Sequence, residues 1–324
     1  MKKKKIYVYA ISKNEEKFAK RWYESVKSAD GIYVLDTGST DNTVKILKEL
    51  GAKVTTKEIK PWRFDVARNE SLKLVPLDAD ICVCIDIDEV ISPNWREKLE
   101  EILENEKVNH VRYIYNWSHD ENKNPKVSFY YEKIHARKNF KWINPVHEVL
   151  KYTGSNEVWA TTNDIIVDHY PDSSKSRSSY LPLLELSVKE DPYNDRNVHY
   201  LGREYMYYGK LNEAIDTLIY HLSLKSATWK DERAASMRFI ARCYKYLKRY
   251  EEAKMWFNKA INEAPYLRDA YVEMAFLEYE LNNFSAVKKY CLLALNIKTH
   301  EKTYINEPFS FDYTIYDLLS ISTF

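Results

Sequence analysis

Three carboxylates close the run Ile81-Cys82-Val83-Cys84-Ile85-Asp86-Ile87-Asp88-Glu89. Its apolar part is short, β-branched and flanked by polar residues, the pattern of a strand buried on both faces in a sheet covered by helices. The acids therefore fall at a strand's carboxyl end. Side chains alternate along a strand, so Asp86 and Asp88 are expected on one side while Ile87 points into the core. Two like charges in one small volume are costly unless a cation lies between them, and hard divalent ions such as Mn2+ or Mg2+ prefer carboxylate oxygens. A metal carrying a phosphorylated ligand is the chemistry this spacing suggests. The competing assignment is a solvated turn into a helix, with Ser92 as N-cap and Pro93 in the first position. The buried strand that precedes the acids favours the metal.

The elements that must position these acids are legible upstream. Lys5 to Ile11 reads as a strand, and Ser12-Lys13-Asn14-Glu15-Glu16 opens a helix to about Ser28 with Phe18, Trp22 and Val26 on one face. Ile32 to Leu35 is a second strand. It runs into Asp36-Thr37-Gly38-Ser39-Thr40-Asp41-Asn42-Thr43, and the helix that follows carries Val44, Leu47 and Leu50 and stops at Gly51. A third strand spans Ala52 to Thr56, and a helix around Phe64 to Lys73 leads to the strand bearing the acids. Four strand-helix alternations argue for an α/β fold with a mostly parallel sheet, and ligands of such sheets bind outside the carboxyl ends of the strands. Asn14, Asp36 and Asp86 each follow a strand, so three polar loops should converge on one crevice.

Composition bounds the partners. The chain has 324 residues, 45% hydrophobic and 30% charged, enough for two domains with real cores. Lys and Arg (49) nearly balance Asp and Glu (48), so the net charge of +1 indicates no nucleic-acid or anionic-membrane partner. The Lys2 to Lys5 run precedes only Ile6 to Ile11, too short an apolar segment for a signal peptide or a membrane span. Cys82, Cys84, Cys243 and Cys291 form no Cys-x-x-Cys pair, so reduced thiols in the cytoplasm are expected. The six glycines make no phosphate-cradling loop. A bound diphosphate must then be neutralised by a metal and side chains.

Lys13-Asn14-Glu15-Glu16, the stretch Asp36 to Thr43, Trp62-Arg63-Phe64 with Ala67-Arg68-Asn69, and Asp86-Ile87-Asp88-Glu89 occur in an order and spacing that resembles family 2 glycosyltransferases, which have the GT-A fold. The resemblance covers residues 5 to about 172. It implies a nucleotide-sugar donor, most often UDP-linked, an Mn2+ or Mg2+ cofactor, and transfer with inversion at the anomeric carbon. By position it implies that Asn14, Glu16, Asp36, Arg68 and Asp86 bind the donor. Asp36 would contact uracil or ribose, Arg68 the base or diphosphate, and Asp86 the ribose and sugar side; helix capping and an ion pair are the alternatives for Asp36 and Arg68. Asp88 would hold the metal with Asp86, and His169 would be a third ligand. Trp142 to Glu148 and Ile165 to Tyr170 look like later motifs of the family. An inverting transfer needs a base within about 3 Å of the acceptor's proton. Glu148 is the first choice, with His147 orienting it or touching the donor, and Glu89 and Asp168 as alternatives. Family members often carry an acidic pair at this position, where this chain has His147-Glu148.

After Glu89 an amphipathic helix is expected from Pro93 to about Leu103, then tyrosine-rich strands at Val111 to Trp117 and Val127 to Ile134. Serine-rich residues Pro171 to Ser179 mark a change of composition, placing a GT-A-like domain at 1–172 and an all-helical domain at 173–324. There Tyr250-Glu251-Glu252-Ala253 recurs as Phe284-Ser285-Ala286-Val287 at an offset of 34, the tetratricopeptide period. Leu211-Asn212-Glu213-Ala214 resembles an earlier unit at an offset of 39, consistent with an insertion near Lys225 to Lys230. Such helix pairs bury their apolar faces by stacking and offer a concave surface for peptides, or prop the transferase. Tyr313 to Leu319 starts another apolar helix, and the sequence ends at Phe324 without a polar capping helix.

The expectation is a metal-dependent transferase acting on a protein or peptide first, a glycan or lipid-linked sugar next, and DNA bases last. The rival is an adaptor that binds a nucleotide sugar without turning it over. A nucleotidyltransferase would need a glycine-rich basic loop after the first strand, where Ser12 to Glu16 is acidic.

Overall fold

The computed structural model describes residues 4–172, 180–299 and 303–322. Lys2 and Lys3, residues 173–179 of the serine-rich segment at the expected domain boundary, and Phe324 lie outside the described residues. The chain divides into two compact units, Met1–Ser176 and Arg177–Phe324.

In the first unit, strands and helices alternate as β1 (Ile6–Ser12), α1 (Glu16–Val26), β2 (Gly31–Asp36), α2 (Thr43–Leu50), β3 (Lys53–Thr56), α3 (Phe64–Leu74) and β4 (Ile81–Cys84). There follow β5 (Glu89–Ile91), α4 (Trp95–Ile102), β6 (His110–His119), β7 (Pro125–Ala136), β8 (Phe140–Ile143), β9 (Val149–Tyr152) and β10 (Trp159–His169). One eight-stranded sheet has the order β3-β2-β1-β4-β7-β6-β10-β5, and β8 pairs with β9 in a small second sheet. The β3/β2, β2/β1, β1/β4 and β6/β10 pairs are parallel, while β7 and β5 run against their neighbours. The sheet is therefore mixed and mostly parallel.

Strand alternation divides the core into two layers. Val8, Val34 and Val83 face Trp22 and Val26 of α1, Leu47 of α2 and Leu99 of α4, whereas Tyr9, Cys82 and Cys84 face Leu72 of α3, Val75 and Trp142 of β8. Helix α2 stops at Gly51, whose φ of +109° lets its N–H reach back to the helix's last carbonyls. A Cβ there would lie 2.8 Å from the Tyr23 hydroxyl.

Two local expectations are corrected. Strand β4 ends at Cys84, so Asp86 and Asp88 sit in a turn closed by Glu89 N–H donating to Asp86 O at 2.9 Å. Burial nevertheless alternates through the turn as expected, with Ile85, Ile87 and Glu89 buried and Asp86 and Asp88 half-buried. Ser92 does not cap a helix: its N–H donates to Ile166 O at 2.8 Å and its Oγ accepts from Ile166 N–H at 3.1 Å, extending the edge pairing beyond β5. Helix α4 instead starts at Trp95, behind Asn94 at a φ of +59°.

The second unit is helical: α5 (Tyr180–Glu190), α6 (Asp195–Tyr207), α7 (Leu211–Ser223), α8 (Lys230–Tyr246), α9 (Tyr250–Glu263), α10 (Asp269–Glu280), α11 (Phe284–Asn296) and α12 (Thr314–Ile321). Consecutive helices pack on one another, and α6 meets α8, α8 meets α10 and α10 meets α12. Ala214, Ala253, Ala260 and Ala294 are buried where helices approach. Helices α7 and α8 start 19 residues apart, as do α9 and α10, so no insertion lies between α7 and α8. The extra residues lengthen α8 itself, which has 17 residues against 13 in α6 and 12 in α10. Among the described residues no helix is long and apolar enough to cross a membrane.

Candidate active site

The turn after β4 is built on buried charge. Lys133 reaches it from β7, the antiparallel neighbour of β4. Its Nζ donates to Glu89 Oε1 and Oε2 at 2.7 and 2.8 Å and to Asp86 Oδ2 at 3.0 Å. Glu89 also accepts from the Tyr115 hydroxyl at 2.9 Å and from the Asp86 N–H at 2.8 Å. Burial would lower the Lys133 ammonium, but Asp86 and Glu89 hold it well above its usual value. Burial is also the main influence on Glu89 and pushes its carboxyl up.

Arg68, on α3, enters the same cluster. Its Nη1 and Nη2 both donate to Asp86, the latter at 2.8 Å to Oδ2, and its Nε donates to Glu148 Oε1 at 2.9 Å. Nη1 also approaches Cys84 Sγ at 3.3 Å, so every guanidinium nitrogen is engaged. Burial opposes ionisation of Asp86, yet Arg68 and Lys133 hold its carboxyl far below the usual range.

A directional chain of hydrogen bonds sets the Arg68 platform. Ala136 O can only accept, so His135 Nδ1 carries the proton in their 2.8 Å bond and Nε2 accepts from the Tyr9 hydroxyl, also at 2.8 Å. The Tyr9 oxygen in turn accepts from Trp142 Nε1 at 2.9 Å. The Arg68 guanidinium lies 5.2 Å from the centre of the Trp142 ring, and the Asn69 amide brackets the Trp142 backbone at 2.8 and 3.0 Å. Glu148 follows β8 in the same segment, behind His147 at a φ of +51°.

Asp88 turns to a different partner. His169, the last residue of β10, directs Nδ1 to Trp117 O at 3.1 Å and Nε2 to Asp88 Oδ2 at 3.5 Å. Its ring stacks on Trp117 with centroids 4.6 Å apart. Tyr170 N–H donates to Asp88 O at 2.9 Å, tying the turn to the end of β10. Burial would lower the His169 pKa, but its bond to Asp88 and that residue's charge raise it. One carboxylate oxygen and one imidazole nitrogen suit Mn2+ or a similar ion. Asp86 fits less well, because Arg68 and Lys133 already take both its oxygens. Among the described residues, Asp86, Asp88 and His169 do not gather three ligand atoms within 4.8 Å; Asp195, His221 and Glu232 do.

The remaining donor-site expectations form a second cluster where β1 and β2 end. Asp36 is fully buried and accepts from Gly38 and Ser39 N–H at 3.1 and 3.0 Å and from Ser12 Oγ at 3.1 Å. Asn14 Oδ1 accepts from Thr40 N–H at 2.8 Å, and Glu16 Oε2 from Asn42 N–H at 2.8 Å. These side chains lock the two loops together. Of the alternative bases, Glu89 is buried with both oxygens bonded, and Asp168 accepts from Asn116 and His119 at 2.8 and 2.9 Å. Contacts thus join Arg68, Asp86 and Glu148 in one group and Asp88 and His169 in another. Sequence reasoning missed Lys133. Its signal was a lone cation inside the aromatic stretch Phe129-Tyr130-Tyr131-Glu132-Lys133-Ile134.

The acids after β4, the Arg68 and Lys133 side chains and His169 at the end of β10 gather at one end of a mostly parallel sheet, where α/β domains bind ligands. Residues 7–151, within the first unit, match the family described as Glycosyl transferase family 2. An uncharacterized glycosyltransferase of Rickettsia typhi is 38% identical over 112 residues, covering 34% of this chain and 36% of that protein. One from Rickettsia conorii is 36% identical over 111 residues, covering 34% and 37%. The chain therefore spans about a third of the length of the curated relatives it matches. Among solved structures, S. aureus TarS 1-349 in complex with UDP-GlcNAc aligns with a TM-score of 0.47 and 12% identity, covering 78% of this chain and 90% of that one.

Proposed function

We propose that this protein is a metal-dependent, inverting glycosyltransferase that moves a sugar from a nucleotide-sugar, first among them a UDP-sugar, to a protein or peptide acceptor, with glycans next. The single observation that carries this reading is the pairing of Asp88 with His169 at 3.5 Å beside the Arg68-Asp86-Lys133 cluster, beyond the end of β4 in a unit that matches family 2.

In this reading Asp88 and His169 hold a divalent cation, Mn2+ or Mg2+. When bound, it supplies positive charge against the leaving nucleoside diphosphate. Arg68 and Lys133 keep Asp86 ionised and fixed, so that it can accept hydrogen bonds from the donor's ribose or sugar hydroxyls. Arg68 positions rather than contacts the donor, since its nitrogens are committed to Asp86, Glu148 and Cys84. Glu148 is the base that takes the proton of the attacking acceptor group, and its bond to Arg68 sets the orientation of the carboxylate. Asn14, Glu16 and Asp36 shape the nucleotide side of the site by locking the first two loops.

We read the helical unit as a stack of tetratricopeptide-like pairs that contributes acceptor recognition. Four buried free cysteines agree with a reducing, cytoplasmic setting. The test is release of free nucleotide from a panel of nucleotide sugars incubated with the full chain and Mn2+. Release from one donor, accelerated by an acceptor extract, supports the reading; no release from any of them overturns it.

A further inference from the structure

Three side chains from three successive helices converge in the helical unit. Asp195 opens α6, His221 lies in the last turn of α7 and Glu232 in the first turn of α8, and one ligand atom from each lies within 4.8 Å of the others. His221 is fully buried and Glu232 nearly so. Among the described residues His221 Nε2 has no hydrogen-bond partner, and it stands 3.4 Å from Glu232 Oε1. Two ligands of a tetrahedral ion bound at about 2.0–2.1 Å are about 3.4 Å apart.

The surroundings orient both donors as the outer partners of metal ligands do. His221 Nδ1 lies 2.9 Å from Ser236 Oγ, which lies 2.7 Å from His199 Nδ1. A serine hydroxyl has one proton, so it donates to one of these imidazoles and accepts from the other. If His221 donates to Ser236 and Ser236 to His199, the His221 Nε2 lone pair faces the Glu232 carboxylate. Two lone pairs at that distance repel unless a proton or a metal ion lies between them. Glu232 Oε2 accepts from the Tyr304 hydroxyl, which leaves Oε1 to face His221. Asp195 is half-buried and opens the group toward solvent, giving an entry path.

We infer that Asp195, His221 and Glu232 bind a divalent transition ion of the Zn2+ type, with one imidazole, two carboxylates and a fourth position for water. The ion would clip α6, α7 and α8 together. It would stabilise the helical unit through its preference for the folded state. The inference is independent of the proposed transferase chemistry.

The experiment uses the full chain carrying His169→Gln, which removes the imidazole of the other candidate cation site, after treatment with a chelator. Calorimetric titration with ZnCl2 should give one bound ion per chain and a rise in the unfolding temperature. Asp195→Asn and Glu232→Gln, each isosteric and added singly, should weaken binding by at least about tenfold with the far-UV circular dichroism unchanged. Asp195 is half-buried, so its variant keeps the test sound should the Glu232 variant unfold. No Zn2+ binding by the folded chain, or an affinity that Asp195→Asn leaves unchanged, would overturn the site and leave His221 and Glu232 as a simple ion pair.

Discussion

Lys133 Nζ lies 2.7 Å from Glu89 Oε1 with both side chains about 2% exposed, so the turn carrying Asp86 and Asp88 rests on a buried ion pair. Glu89 accepts the Asp86 N–H, and Lys133 reaches Asp86 itself. The pair therefore fixes the turn that presents Asp88.

Removing one partner strands the other. Lys133→Met should cost about 3–5 kcal/mol, because Glu89 and Asp86 lose their shared cation. Urea unfolding of Lys133→Met, Glu89→Gln and the double variant checks this. The double variant should be less destabilised than the sum of the singles, and simple additivity would contradict the coupling.

Glu148→Gln keeps an oxygen for Arg68 Nε while removing the basic carboxylate. Donor binding should stay within about threefold of wild type while transfer falls by about 10²–10⁴. Calorimetry and steady-state kinetics separate the two effects. Loss of donor binding would reassign Glu148 to the donor site.

Burial takes the His135 pKa from 6.5 to about 3. Between those values the unfolded chain binds a proton that the folded unit excludes. Stability is complete above pH 6.5 and falls as pH drops toward 3, by about 1.4 kcal/mol per unit. Protonation would also turn Nε2 into a donor aimed at the Tyr9 hydroxyl, which already donates to it. His199, lowered to about 3 by burial in the helical unit, adds a second such proton. Urea unfolding at several pH values should show this slope, and His135→Gln should remove one proton's share. An unchanged slope in that variant would contradict the assignment.

Gly202 allows α6 and α7 to touch. A Cβ at this position would lie 2.5 Å from Leu218 Cγ, both inside packed helices. Gly202→Ala should therefore destabilise the helical unit by about 1–3 kcal/mol despite the better helix propensity of alanine. Thermal unfolding followed by circular dichroism reads this directly, and a stabilised variant would show that the helices shift apart freely.

Periodicity made most of the first unit legible. The four β/α alternations, the buried strand before Asp86 and the tyrosine-rich strands β6 and β7 follow from local apolar patterns, which report burial one residue at a time. Strand β5 and the true role of Ser92 did not, because both depend on pairing with β10 some 70 residues away. The alternation that buries Ile87 between half-buried Asp86 and Asp88 held, but the turn that carries these acids did not show in the sequence, because it depends on Glu89 meeting Lys133. Lys133 itself stayed hidden because its partners, Asp86 and Glu89, are more than 40 residues away in sequence. The 34-residue offset marked α9 and α11, but placing the five-residue excess required the helix lengths.

The most direct test of a metal-assisted donor site compares wild type with Asp88→Ala by calorimetric titration of a UDP-sugar, with and without Mn2+. Wild type should bind the donor more tightly with Mn2+, by at least about tenfold, and Asp88→Ala should lose that enhancement while its circular dichroism stays unchanged. Mn2+-enhanced binding of equal strength in the folded Asp88→Ala protein would contradict the account.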